Sequence, residues 1–459
     1  MADIQVKIGQ QFPLTIKRLG INGEGIGYFK RKITFVKGAL PGEVIVAQVT
    51  DINHKYLEAK MVKIREKSRE RVKPPCNVFD LCGGCQLQHL SYNGQLKYKK
   101  QIVEDAITKY APHVKLDSIR DTLGMANPFG YRNKNQFPVE KSGRKIRAGL
   151  YKEHSNTLID LHECIVQDDR TMKTTNEIKK IMSELNIEVC KNPSRDVGVR
   201  HIITRVALAT GDLQVVFVTN TRDLKKQDLL AERVLRLPGV KGVAININKE
   251  KTSIVMGNET IVIAGDETIR ETLQDHVYDL SAESFFQLNP KQTVVLYKEV
   301  ERAAGLTGKE NVVDAFCGTG TIGIWLADNA KEVRGMDTNE DGIVNAIYNA
   351  TANNKDNCKF EIGDASEKLN EWIEEGFYPD VITVDPPRTG LSEETIKLIN
   401  EIKPKTFVYT SCNPSTLAKD LAHLTKAFQV EYIQPVDMFP QTAQVEAVVR
   451  LVRKRKLGK

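Results

Sequence analysis

Asp314-Ala315-Phe316-Cys317-Gly318-Thr319-Gly320-Thr321 sets the fold class of the C-terminal third of this chain. The octet leaves a short apolar run, VVDAF (312–316), and opens a helical pattern. Glycines at such an exit let backbone approach a ligand closely, although a lone G-x-G is equally a simple tight turn. Four further apolar runs follow: EVRGMD (332–337), CKFEIGDA (358–365), DVITVDPP (380–387) and TFVYTSC (406–412). Each is trailed by a helical segment, and strands alternating with helices predict a parallel, doubly wound α/β sheet. Beyond Cys412 a helix, NPSTLAKDLAHLTKA, leads to VEYIQPVDM, the turn FPQTA and VEAVVRLVR. Two late strands joined by a short connection predict an antiparallel hairpin that closes the sheet.

Carboxyl ends of consecutive parallel strands form one crevice. Asp337, Asp364 and Asp385 end the second, third and fourth runs, so they are expected to converge on one ligand. Asp337 stands where an acidic residue accepts ribose hydroxyls, and Asp364 where it takes an adenine amino group. There is no G-x-x-x-x-G-K-[ST], which disfavours an NTPase. An acid-rich, lysine-poor loop suits a cofactor that carries a positive sulfonium and no phosphate.

Cys412 ends the fifth run at the same edge. Asn413-Pro414-Ser415 reads as a helix start, and a helix N-terminus favours thiolate over a free thiol of pKa about 8.5. An isolated cysteine is otherwise a small buried hydrophobe. Glu446 leads the last run, after the FPQTA turn. It is a candidate general base, or an acidic residue solvating a strand end.

The rest of the chain is less regular. Residues 1–65 read as short strands between glycine turns: FPLTIKRLG, GEGIGYFKRKITFVKGA, GEVIVAQVTDI and YLEAKMVKI. They predict a small closed barrel of a kind that often carries nucleic acid. REKSRERVKPP (65–75) reads as a solvated basic linker. Residues 66–277 predict a central α+β domain, with strands in IITRVALAT, LQVVFVTN, GVAININ and SIVMGN and a helix in LKKQDLLAERVLRL. The remaining 278–459 form the doubly wound domain and end in a basic tail, RKRKLGK.

The 459 residues exceed one ordinary domain. A charge of +7 and a pI near 8.8 allow a nucleic-acid partner, and equally a solvated basic surface. The opening MADIQVKIGQ holds no apolar stretch of signal-peptide length and no run approaches a membrane span, so a cytoplasmic, membrane-free protein is expected. Of 8 cysteines, Cys76, Cys82 and Cys85 crowd together around Gly83-Gly84. Cys164 supplies a fourth thiol, and four thiolates hold either zinc or an iron–sulfur cluster without the spacing choosing between them.

DAFCGTG, DPPR, TSCNP and FPQTAQVE, in that order, resemble the RNA uracil-5-methyltransferase family. SFFQLNP (284–290) is similar to that family's Phe-x-Gln-x-Asn element, GYRNKNQFPV (130–139) to a family segment, and the N-terminal barrel to a TRAM domain. The resemblance covers nearly the whole chain and implies a Rossmann-like class I methyltransferase domain, with an OB-like TRAM barrel and a central α+β domain before it. It implies Cys412 as nucleophile, Glu446 as base, and S-adenosylmethionine held by Gln287, Phe316, Gly318, Thr321, Asp337, Asp364 and Asp385. Asp385 is also suited to face the uracil, and Arg132 and Arg388 to contact RNA. In the ribosomal branch of the family similar cysteines carry a 4Fe–4S cluster, so the likeness favours iron over zinc at Cys76, Cys82, Cys85 and Cys164.

That chemistry explains the residue types. Carbon 5 of uracil is a poor nucleophile, and a thiolate added at carbon 6 makes it electron-rich. The carbon 5 proton must then go to a base. One departure stands out: family members often place histidine two residues before the base, where this chain has Gln444. Barrel plus cysteines resembles enzymes of 23S ribosomal RNA, with transfer RNA as the alternative and a monomer expected. RNA cytosine-5 methylation is less favoured because DPPR occupies the place of those enzymes' second cysteine. A non-catalytic RNA-binding assembly factor is disfavoured by the intact Cys412 and Glu446.

Overall fold

The computed structural model describes residues 6–192, 195–252 and 254–454. The first residues of MADIQVKIGQ, Ser253 of the SIVMGN run and most of the basic tail lie outside them.

The N-terminal strands Gln11–Thr15, Arg18–Leu19, Gly25–Phe29, Lys32–Val36, Val44–Ile52 and Tyr56–Glu66 form one curled sheet. Its two edge strands, Gln11–Thr15 and Arg18–Leu19, are consecutive in the chain, which closes the barrel. Alternating side chains such as Phe12 and Leu14 fill it. The linker is not fully solvated as its charge suggests. Arg71 donates from Nε to Glu43 Oε1 at 2.6 Å, and the Glu43 side chain has no exposed surface. A buried carboxylate needs such a partner, so this pair pins the linker to the barrel.

The central sheet runs, edge to edge, Glu259–Gly265, Val240–Ile247, Leu213–Thr219, Val199–Val206, Lys134–Ser142, Lys145–Tyr151 and Leu158–Asp160. Helices Asp169–Leu185 and Gln227–Leu235 cover one face, their Ile178, Met182 and Leu230 sharing a core with Phe137 and Phe217. The expected strands and helix of this region are present except SIVMGN, whose described residues precede the strand Glu259–Gly265.

The C-terminal sheet has seven strands: Asn311–Ala315, Glu332–Asp337, Cys358–Ile362, Val381–Val384, Thr406–Ser411, Phe428–Val436 and Glu446–Arg453. Their spatial order is third, second, first, fourth, fifth, seventh, sixth. The first five are parallel. Val381–Val384 and Thr406–Ser411 are buried along their whole length, as central parallel strands covered on both faces must be. The late pair is antiparallel as expected, but the last strand inserts between the fifth and sixth rather than extending the edge.

Helix Tyr92–Tyr110, in sequence part of the central segment, packs into the C-terminal core. Its Tyr98, Ile102, Ala106 and Ile107 share one cluster with Leu417, Leu421 and Leu424 of helix Pro414–Leu424. The chain then runs beside the sixth strand through Ile119 and Leu123, which bridge to Ile433 and Val436. The hairpin Ile269–Leu273/His276–Leu280 also buries its apolar side chains in the C-terminal domain, against Ile322, Trp325 and Phe360.

Candidate active site

Gly318 and Gly320 adopt φ of +53° and +76°, and Phe316 between strand and glycines is also left-handed at +64°. A Cβ at Gly320 would stand 2.9 Å from Ala346 and Phe360, so close helix packing requires glycine there. A Cβ at Gly318 would meet nothing within 4 Å, so that position is an open cradle. Gly318 N donates to Asp337 Oδ2 at 2.9 Å and Asn339 N to Asp337 Oδ1 at 2.9 Å. The second strand therefore delivers a carboxylate directly beneath the loop, with lone pairs left for ribose hydroxyls.

Thr321 donates or accepts at 2.6 Å with Tyr297, and its carbonyl receives the Tyr278 hydroxyl. Gln287 lies half-buried in the segment above the loop, its carbonyl taking Asn133 Nδ2 at 3.3 Å. Phe285 beside it is 67% exposed. Asp364 is also at this edge, but it caps helix Ala365–Glu374, its Oδ1 receiving Ser366 N at 2.8 Å. That carboxylate already has structural work. The open glycine cradle, the Asp337 carboxylate and the lysine-free loop fit a cationic nucleoside cofactor.

The inserted last strand brings the candidate nucleophile and the candidate base together. Ser411 pairs with Ala447, so the antiparallel register places Cys412 opposite Glu446 one step further on. Cys412 is half-buried, and Glu446 is buried. Asp385 closes the third side, from the end of the fourth strand. The Asp385–Arg388 loop is tied down by Asn413 Nδ2 and Thr416 Oγ, which donate to Arg388 O at 2.9 and 3.2 Å. Arg388 itself is exposed beside the thiol.

The electrostatics differ from the sequence expectation for the thiol. Asn413 does cap helix Pro414–Leu424, yet burial and the carboxylates of Glu446 and Asp385 push Cys412 up to about 11, against Arg388. Burial, more than the two acids, sets that direction. Burial, with Asp385 adding to it and Lys99 opposing, pushes Glu446 up to about 8. Burial alone pushes Asp385 up to about 7. Acids of one sign crowd a low-dielectric crevice, an arrangement that a docking cation relieves.

Lys99 had no sequence signal. It has no exposed surface, and its Nζ bonds Asp437 Oδ1 and, at 3.1 Å, Phe439 O. Burial lowers its pKa, against Asp437 and Glu446. Gln444 is exposed, its N–H donated to Thr442 Oγ at 3.3 Å.

Cys76, Cys82, Cys85 and Cys164 line one cavity of about 310 Å³, together with Arg132 and Lys134. Burial raises the Cys82 and Cys164 thiols and pushes Cys85 up to about 12, each further raised by its neighbours' thiols. Among the described residues no group of three or more His, Cys, Asp and Glu is disposed to hold a metal ion. Arg132 is half-buried, with a buried Nε that finds no partner, and its guanidinium lies 5.9 Å from the Phe439 ring.

A doubly wound sheet with this loop and crevice defines an S-adenosylmethionine-dependent methyltransferase. The family model described as tRNA (Uracil-5-)-methyltransferase matches residues 92–454, and the TRAM domain model matches 5–62. The chain therefore belongs to the tRNA (uracil-5-)-methyltransferase family and carries a TRAM domain. It is 50% identical to an RNA methyltransferase of Bacillus cereus, covering 98% of each chain, and 51% identical to one of Halalkalibacterium halodurans, covering 97% of each. Among solved structures it is similar to the Pyrococcus abyssi tRNA (uracil-54, C5)-methyltransferase in complex with S-adenosyl-L-homocysteine. That match has a TM-score of 0.76 and 29% identity, over 96% of this chain and 99% of that one. Among the described residues no helix is long and apolar enough to cross a membrane.

Proposed function

We propose that this protein methylates carbon 5 of a uridine in RNA through a transient covalent bond between Cys412 and the ring. The observation that carries the reading is the register that sets Cys412 opposite Glu446, with Asp385 at the third side. The Cys412 thiolate adds to carbon 6, forming a carbon–sulfur bond and moving the ring electrons into an enolate. Phe316, Gly318, Asp337, Gln287 and Thr321 would hold the cofactor, which when bound would supply an electrophilic methyl group on a positive sulfonium, its sulfur–methyl bond breaking to leave a neutral thioether. Once carbon 5 carries the methyl group, Glu446 takes its proton, the carbon 5–carbon 6 double bond re-forms and the thiolate leaves. The base must leave its stack to enter the crevice, which favours a loop or bulge. We assign a phosphate or base contact to Arg388, whose exposure at the rim supports it.

The barrel and the cysteine cavity support 23S ribosomal RNA as substrate. Transfer RNA is the second reading, favoured by the Pyrococcus abyssi enzyme, which shares the architecture over 96% of this chain. Mass mapping of ribosomal and transfer RNA from cells with and without the protein separates them. Loss of a 5-methyluridine from either RNA assigns the substrate, and loss from neither overturns the reading. A cytoplasmic monomer fits this role.

The reading we favour for the four thiols is a polynuclear iron–sulfur group: they line one cavity with the cations Arg132 and Lys134, and with Glu163. Zinc requires all four sulfurs within about 2.3 Å of one point. Iron and sulfide analysis of protein purified without oxygen tests this, with stoichiometric zinc as the contrary result. Such a group takes no part in the steps above; its ligands hold the segment that follows Cys85.

A further inference from the structure

The loop between the sixth and seventh strands, residues 437–445, carries Glu446 at its end, and other elements seize it at almost every residue. Asn289 Nδ2 donates to Met438 O at 2.9 Å and Tyr131 Oη to Pro440 O at 2.9 Å. Gln86 N and Leu87 N, immediately after Cys85, both donate to Gln441 O, at 3.0 and 2.9 Å. Gln86 Oε1 accepts from Ala443 N at 3.3 Å. Helix Tyr92–Tyr110 turns one face to the same loop, since Tyr92, Gln95 and Lys99 are spaced three and four apart.

Gln441 is the focus of these contacts. It is buried, and its φ of +72° lies in the left-handed region that a glutamine rarely occupies. Its N–H donates to Gln95 Oε1 at 3.0 Å, and its own Oε1 accepts from Gln95 Nε2 at 3.0 Å. Gln95 Nε2 also reaches Leu87 O and Leu90 O. A side chain that reads both the backbone and the amide of a strained residue over-determines it, which is how such a conformation persists. The turn so fixed sets where the last strand begins, and with it where Glu446 meets the ring.

We propose that Gln95 and Gln441 are positioning residues for proton removal from carbon 5, linking the segment after Cys85 to the base. This rests on Glu446 being that base. A carboxylate displaced by about 1 Å loses on the order of 10²-fold in rate, whereas cofactor binding and thiolate addition use other elements. The signature is therefore selective: methyl transfer continues while release of product lags.

The test compares Gln95→Leu, Gln441→Gly and Glu446→Gln in the full chain, with RNA substrate and S-adenosylmethionine. Glycine suits the left-handed turn yet removes the amide, so Gln441→Gly reports even where Gln95→Leu folds poorly. The expected result is a kcat about 10- to 100-fold down, with KM for S-adenosylmethionine within about twofold, and methylated RNA–protein adduct surviving a denaturing gel. If Glu446→Gln accumulates adduct while folded Gln95→Leu and Gln441→Gly do not, the positioning role is overturned and the base stands. If Glu446→Gln yields no adduct, the assignment of the base fails and this proposal falls with it.

Discussion

Two groups of thiols in this molecule sit in opposite electrical settings. Cys412 shares its crevice with Glu446 and Asp385; burial first, and then these two acids, push it up to about 11. Cys76, Cys82, Cys85 and Cys164 share their cavity with Arg132 and Lys134, and burial and neighbouring guanidiniums push the Lys134 ammonium down to about 7. Acids dominate the crevice, with Lys99 and Arg388 opposing them, and cations outnumber the one carboxylate, Glu163, that lines the cavity. The crevice matches a positive sulfonium; the cavity matches sulfurs that stay bound.

The largest effect that would break this comparison is loss of the reactive thiol. Cys412→Ala should lower methylation by at least about 10³-fold and form no RNA adduct, while calorimetry still finds cofactor binding. Unchanged turnover would end the covalent reading. Glu446→Gln should lower turnover by about 10²–10⁴-fold and accumulate adduct. For the cofactor side, Asp337→Ala should weaken S-adenosylmethionine about 10- to 100-fold by equilibrium dialysis, since a hydrogen-bonded charge is lost.

Acidity sharpens the contrast further. In the proposed role of base Glu446 acts only when ionised, and burial pushes its carboxyl up to about 8. Proton removal, read as decay of the RNA–protein adduct, should therefore climb about tenfold per pH unit below 8 and level above it. A profile flat between pH 6 and 8 would mean that bound cofactor brings the acid back to its ordinary range. The smallest effect belongs to the cavity. Cys85→Ser should remove the iron and lower the thermal midpoint by about 5 °C, with residual methylation, because no step passes through that site.

Much was legible in local pattern. Apolar runs broken by helices gave the parallel sheet, since a strand buried on both faces must be apolar throughout. Glycine at positive φ and acids at strand ends gave the cofactor loop, because those requirements act within a few residues of one another. The barrel, the parallel strands and the antiparallel late pair follow in the same way. Asp364 was legible as a strand end but not as the cap of its own helix, where one Ser366 contact takes it up.

Short-range pattern could not supply the insertion of the last strand between the fifth and sixth, on which the meeting of Cys412 and Glu446 depends. Nor could it supply Gln95, which touches a residue 346 positions away, or Lys99, which is paired to Asp437 across 338. The thiol's acidity was misjudged for the same reason. A helix N-terminus is visible beside Cys412 in the chain, but the burial that raises the thiol, and the carboxylates that add to it, come from elsewhere in the fold. Charge and burial add up over space, and only the folded chain fixes which residues share it.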